Sequence, residues 1–247
     1  MSASVEVGPT SPRTRDRATA ARAVLGYRAR LFGVLMLACV VLLETGQFLT
    51  PAGTDQHVTS VPIGVKELAA AHAHPLALYL SSVFVIIGLA ALGLTFGALA
   101  TVVRGRGHRL ASVGGALGIF AGISAAIVNV WSGLDVYAAD HAAITREQAA
   151  AFLASAQHTS AVSAVFSIGY FGGLLAADLV MAIALWRSKA VPKWQLLVFA
   201  IGLFVAAAGP SGPVGAVVDL PWAAGMVLLS RAVVRAGALE PEAVVAG

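Results

Sequence analysis

The residues with the greatest capacity for chemistry are two acids set in apolar runs. The stretch LMLACVVLLETGQFLTP carries Glu44 and, three residues on, Gln47; the stretch VVDLPW carries Asp219, with Trp222 at the same spacing. Residues three apart share a helical face, so each acid has a polar or aromatic neighbour beside it. A charge placed in hydrocarbon costs at least ~2.5 to 3.5 kcal/mol. Without a basic partner, such an acid must take up a proton, bind a cation or be wetted by a cavity. Held neutral, it can donate a proton, while an ionised neighbour stabilises positive charge that develops on a substrate. The plainer alternative is that Glu44, Asp219, Gln47 and Asn129 hydrogen-bond across helices and only lock the fold.

The elements that must position these acids are membrane helices. Apolar residues make up 58% of the chain and charged residues only 11%, with a mean hydropathy of +0.85, values that exclude an ordinary soluble domain. A bilayer core of ~30 Å needs ~20 helical residues. Segments 31–49, 76–103, 110–131 and 161–186 meet that length; 196–208 and 214–229 are shorter, separated by the helix-breaking run GPSGP. The expected fold is all-α and polytopic, with six transmembrane helices. Residues 1–27 read as a disordered basic tail, 28–235 as the bundle and 236–247 as a flexible tail.

Charge sets the expected orientation, because translocated loops are poor in Lys and Arg. Arg28 and Arg30 precede span one; Arg104, Arg106 and Arg109 lie between spans two and three; Arg187, Lys189 and Lys193 lie between four and five; Arg231 and Arg235 follow six. Only Lys66 and Arg146 fall on the other side, so both termini are expected in the cytoplasm of a cell-membrane protein. The net charge of +4 expresses this asymmetry rather than a nucleic-acid surface.

Depth follows from the boundary arginines at a rise of ~1.5 Å per residue. Glu44 lies about 21 Å above Arg30 and Asp219 about 18 Å above Arg231, one shared level in the outer half. Asn129 lies somewhat higher, and Asp178 deeper, about 13 Å from Arg187. None of the spans contains a lysine or arginine. Pro221 removes a backbone donor just after Asp219, and irregular backbone at this depth is tolerated beside a cavity. The expectation is an outward-facing polar pocket holding both acids.

Other chemistries are poorly served. No histidine lies inside a span, no lysine is placed for a Schiff base, and the single Cys39 gives neither a disulfide nor a metal cluster. His57, His72, His74, His141 and His158 gather on the outer side, but His72 and His74 would point apart on a helix. No metal and no cofactor is expected. Two loop pieces, VKELAAAHAHP and TREQAAAFLASAQ, read as short helices over the outer mouth, the second opened by a Thr145–Gln148 capping box. Glycines four apart, such as Gly114, Gly118 and Gly122, or Gly93 and Gly97, mark close helix contacts.

The layout of two hairpins with RSKAVPKW between spans four and five, preceded by QHTSAVSAVFSIGYFGG, resembles a family of small bacterial six-helix membrane proteins. Glu44 and Asp219 also give a fainter likeness to membrane-bound terpene cyclases, which use acids from separate helices to protonate an isoprenoid and to stabilise carbocations. That likeness implies a cofactor-free cyclase, isomerase or lyase acting on a lipophilic isoprenoid in the bilayer. Glu44 and Asp219 would be catalytic, Gln47 and Asn129 would orient them, and Trp131 and Trp222 would face cationic intermediates. Such cyclases usually have one more span, and this chain is only 7% aromatic. A proton-coupled carrier using the same acids, or a non-catalytic accessory subunit, is the alternative.

Overall fold

The computed structural model describes residues 12–50, 65–103, 105–141, 143–159, 161–189, 191–208 and 212–239. Among them every regular element is an α-helix: α1 Pro12–Leu49, α2 Val65–Ala73, α3 Pro75–Val102, α4 His108–His141, α5 Arg146–Thr159, α6 Ala161–Ser188, α7 Lys193–Ala208, α8 Pro213–Val218 and α9 Leu220–Leu239. An apolar chain of this kind has no water for its backbone, and the helix satisfies every peptide group internally. α1 starts at Pro12, within the tail that composition reads as disordered. The alanines and arginines of that stretch are strong helix formers.

Four helices are long and apolar enough to cross a membrane: Gly26–Leu49, Pro75–Thr101, His108–Ala138 and Ala164–Ser188. This is a membrane protein. α7 is shorter, at 16 residues, and the last apolar stretch is divided at Asp219 into α8 and α9.

The long helices form a ring. α1 packs between α3 and α9, α4 between α3 and α6, and α7 against α9; a short contact between α6 and α7 closes the circle. Phe32, Met36, Phe96, Met181, Phe199 and Met226 fill its interior, while Ile168, Leu179 and Leu94 stand 71%, 63% and 57% exposed on the outside. Lipid removes any penalty for that outer face.

Glycine decides how closely these helices pack. A Cβ at Gly122 of α4 would lie 2.7 Å from Gly93 Cα and 2.8 Å from its nitrogen on α3, and one at Gly114 would lie 3.2 Å from the Met181 nitrogen on α6. The repeated glycines of α4 therefore serve two neighbours. Gly202 and Gly225, which belong to no repeat, do the same for α7 and α9: each would press a Cβ onto the backbone of Trp222 or Phe199.

Beyond the spans, α2 and α5 bury Leu68, Ala149 and Leu153 against one another, with Val136 of α4 beneath. α2 ends where His74 leaves helical dihedrals ahead of Pro75, whose missing N–H costs nothing in the first turn of α3. The expected capping box opens α5. The Thr145 N–H donates to Gln148 Oε1 at 3.0 Å, and the Gln148 N–H donates to Thr145 Oγ1 at 3.3 Å. A hydrogen bond from its own backbone N–H, then one from the Thr145 hydroxyl, hold the Glu147 carboxyl below the ordinary glutamate range.

Two outcomes test this packing. Gly122→Ala should lower the unfolding midpoint in detergent, at a cost of about 1 to 3 kcal/mol from overpacking, whereas Gly26→Ala, which meets nothing within 4 Å, should not. Thr145→Ala should cost α5 about 1 kcal/mol, read from amide exchange. It should also move the Glu147 titration back up. The sign follows from linkage: Glu147 is lowered in the folded state, so its contribution is present above the unfolded value and is lost as pH falls through the folded one.

Candidate functional site

The outer end of α1 is held on two sides, and this places Glu44. Against α3, Thr50 Oγ1 donates to Gly46 O at 3.0 Å and shares a 2.7 Å hydrogen bond with Ser81 Oγ, both residues being fully buried. Gly46 lets the helices meet there, since a Cβ would stand 3.1 Å from the Ser81 carbonyl. Against α8, Gly212 lies beside the Thr50 carbonyl, 3.5 Å from where its own Cβ would be, and its φ of +82° suits glycine alone. The chain thus turns into α8 at the end of α1, and α8 runs alongside it.

Asp219 sits at the joint between α8 and α9. Its dihedrals, −79° and −11°, remain right-handed helical. Its N–H reaches Gly215 O at 2.8 Å, and the Ala223 N–H reaches its carbonyl at 3.0 Å. Helical direction is therefore kept through the joint. The ladder is interrupted because Pro221 has no N–H to give to the Val217 carbonyl.

Glu44 and Asp219, half-buried on neighbouring helices, lie within electrostatic reach of one another. Glu44 Oε1 is buried with no hydrogen-bond partner among the described residues, and Asp219 Oδ1 is also buried. The two acids expected at one level are brought together. Gln47 is half-buried one turn further along α1. Trp222 is 7% exposed in the core, its backbone against Gly202 of α7.

Asn129 and Trp131 stand elsewhere. Both belong to α4, which packs between α3 and α6 rather than on α1 or α8. The Asn129 amide donates to Ala125 O of its own helix at 2.9 Å. Trp131 meets Phe166 of α6 edge to face, with centroids 6.3 Å apart at 73°. Asn129 is expected near the acids from a depth somewhat above theirs, and Trp131 from the likeness to terpene cyclases; the order of helices around the ring separates both from the pair.

A cavity of about 20 Å³ lies in the ring, lined by Met36, Thr95, Phe96, Met181, Phe199 and Met226 among others. It is apolar and lies on the arginine-rich side of the acid pair, away from the outer level where the polar pocket is expected; residues 51–64 and 209–211, which follow α1 and precede α8, lie outside the described residues. Thr95 spends its hydroxyl on Ala91 O at 2.8 Å, and pliable methionines close much of the rest.

Among the outer histidines, the His141 ring stacks on Tyr137 at 4.1 Å, and His72 and His74 are exposed; His57 and the His158 side chain lie outside what is described. Among the described residues, no three His, Cys, Asp or Glu side chains converge as a metal site would require. No family model, curated protein or solved structure matches the chain.

The Thr50–Ser81 clamp, which no spacing rule reveals, is open to test. Thr50→Val should cost about 1 to 3 kcal/mol, by leaving the buried Ser81 hydroxyl unpaired, and Ser81→Ala less, because the Thr50 hydroxyl keeps its bond to Gly46 O. The double variant should cost less than the sum, as a double-mutant cycle on thermal unfolding in detergent would show.

Proposed function

We propose that this chain is a six-span protein of the cell membrane, with both termini in the cytoplasm, that couples proton binding at Glu44 and Asp219 to the movement of a small solute. α7 supplies a short fifth span, ~24 Å at ~1.5 Å per residue. The sixth is α8 and α9, continued through the helical joint at Asp219. Arg30, Arg106, Arg109, Arg187, Lys193 and Arg231 then share the cytoplasmic end.

The observation that supports this reading is the meeting of two acids from different helices at a depth where no lysine or arginine is available. With both ionised in a poorly polar setting they repel, and one proton held between them relieves the repulsion. Losing that proton leaves a site that attracts an organic cation. Exchange of proton for cation is the coupling. The interrupted ladder beside Asp219 fits the same reading, since carriers commonly place their sites at breaks in membrane helices. A cavity of about 20 Å³ holds one water at most and corresponds to an occluded state of such a cycle.

A second reading, acid-initiated cyclisation or isomerisation of a lipophilic isoprenoid, draws on Trp222, buried one turn from Asp219. Its ring would stabilise a cationic intermediate. It requires an apolar chamber of roughly 300 Å³ or more around the two acids.

The test uses the full chain in lipid vesicles, with ethidium as the cation and an imposed pH gradient as the drive. Uptake should depend on the gradient and fall about tenfold or more in Glu44→Gln and in Asp219→Asn, with little change in unfolding midpoint. Gradient-independent uptake, or variants that only melt earlier, would leave the acids as structural links. An isomer of unchanged mass formed from an epoxidised isoprenoid, and lost in both variants, would replace the carrier with the cyclase.

A further inference from the structure

A third acid stands apart from the pair. Asp178 of α6 is 5% exposed, and its Oδ2 is buried with no hydrogen-bond partner among the described residues. α6 packs chiefly on α4, with shorter contacts to α3 and α7, and none of these brings a compensating charge near. α4 has no titratable residue between Arg109 and Asp135; α3 has only Tyr79 near its outer end, and α7 only Lys193 at its start. On α6 itself the nearest titratable groups, Tyr170 and Arg187, are two turns or more away. Across the ring, α1 offers Cys39 at a similar level, a buried free thiol that brings no cation, and Glu44 higher up, while α9 offers Arg231 only at the boundary.

A metal cation does not resolve this. Hard cations need about six oxygen ligands, whereas among the described residues no three His, Cys, Asp or Glu side chains converge, and the cavity one turn away is lined by apolar side chains and by Thr95, whose hydroxyl is committed to its own helix. A proton satisfies the carboxyl alone. One turn from Asp178, toward the arginine-rich end, Met181, Ala182 and Leu185 line the central cavity. Asp178 is about 13 Å from that end of α6 and about 26 Å from the other, so the cavity lies on its shorter way to water. The short α6–α7 contact is the weakest side of the ring.

We propose that Asp178 is a second proton-binding site, separate from Glu44 and Asp219, loaded from the arginine-rich end through the cavity lined by Met181, Ala182 and Leu185. In the carrier reading it would be the inner station of a proton path. The site itself does not depend on that reading.

The experiment is infrared difference spectroscopy of the full chain in lipid nanodiscs, with aspartate ¹³C-labelled at the side-chain carboxyl. A neutral-carboxyl band shifted by the label should be present at neutral pH, persist in Glu44→Gln and Asp219→Asn, and vanish in Asp178→Asn. Ala182→Phe, which fills the cavity, should slow hydrogen–deuterium exchange of that band about tenfold. No label-shifted band at neutral pH, or a band that survives Asp178→Asn, would overturn the site; unaltered exchange in Ala182→Phe would overturn its route. Should Asp178→Asn fail to fold, a labelled chain carrying both Asp135→Asn and Asp219→Asn decides, because Asp178 is then the aspartate left within the membrane-crossing helices. A band without gradient-driven ethidium uptake removes the carrier and leaves this site; uptake without the band does the reverse.

Discussion

A carboxylate cannot remain ionised in a poorly polar interior unless something answers its charge, and Glu44, Asp178 and Asp219 lie where the described helices carry no lysine or arginine at their depth. Burying an ion unpaired costs far more than any single packing interaction returns. Without a basic partner an acid takes up a proton, binds a cation or is wetted by a cavity, and the fold either sets acids side by side or encloses one alone. Glu44 and Asp219 follow the first course, on adjacent helices. Asp178 follows the second, nearly sealed by α6 and its neighbours.

The positions of these acids depend on contacts that are themselves uncharged. In lipid, helices gain little from hiding apolar surface, so close backbone approach and interhelical hydrogen bonds determine which faces meet. Gly93 against Gly122 joins α3 to α4, and Gly202 against Trp222 joins α7 to α9. The Ser230 hydroxyl donates to Gly33 O at 3.4 Å and ties α9 to α1 near the arginine-rich end. Thr50 and Ser81 tie α1 to α3 at the other. Glu44 lies between these two ties, so its height against α8 is set from both ends.

Much of this was legible in the sequence, for identifiable reasons. Apolar length marks a spanning helix almost without regard to context, hence the four long helices. The Thr145–Gln148 box is local, and it forms as its spacing requires. The shared level of Glu44 and Asp219 followed from counting residues back to boundary arginines. What counting cannot supply is the angular order of helices around the ring. Asn129 has the right depth but sits on α4, between α3 and α6. Depth is one-dimensional information, and a site needs two further coordinates. The Thr50–Ser81 bond and the Gly202 and Gly225 contacts were hidden for the same reason, being pairings of single residues distant in sequence. The α1 boundary was missed differently: charge density suggested disorder, whereas Ala and Arg propensity carries the helix back to Pro12.

The joint at Asp219 shows how sequence chemistry and three-dimensional order combine. Pro221 would be tolerated anywhere a helix can lose one hydrogen bond, and by itself it says only that the Val217 carbonyl loses the donor four residues on; the Asp219 N–H approaches it instead, alongside Gly215 O. Gly212, with its left-handed φ, turns the chain at the end of α1, and α8 then runs beside the helix that carries Glu44. The weakened turn and the second acid thus arrive at the same place. A fully laddered helix would hold Asp219 rigidly against Glu44 whatever their charge. With one helical hydrogen bond missing beside it, the joint can yield at low cost to a change of charge at the two acids. In the proposed carrier, protonation state and helix geometry would be coupled there, as alternation between a proton and another cation requires.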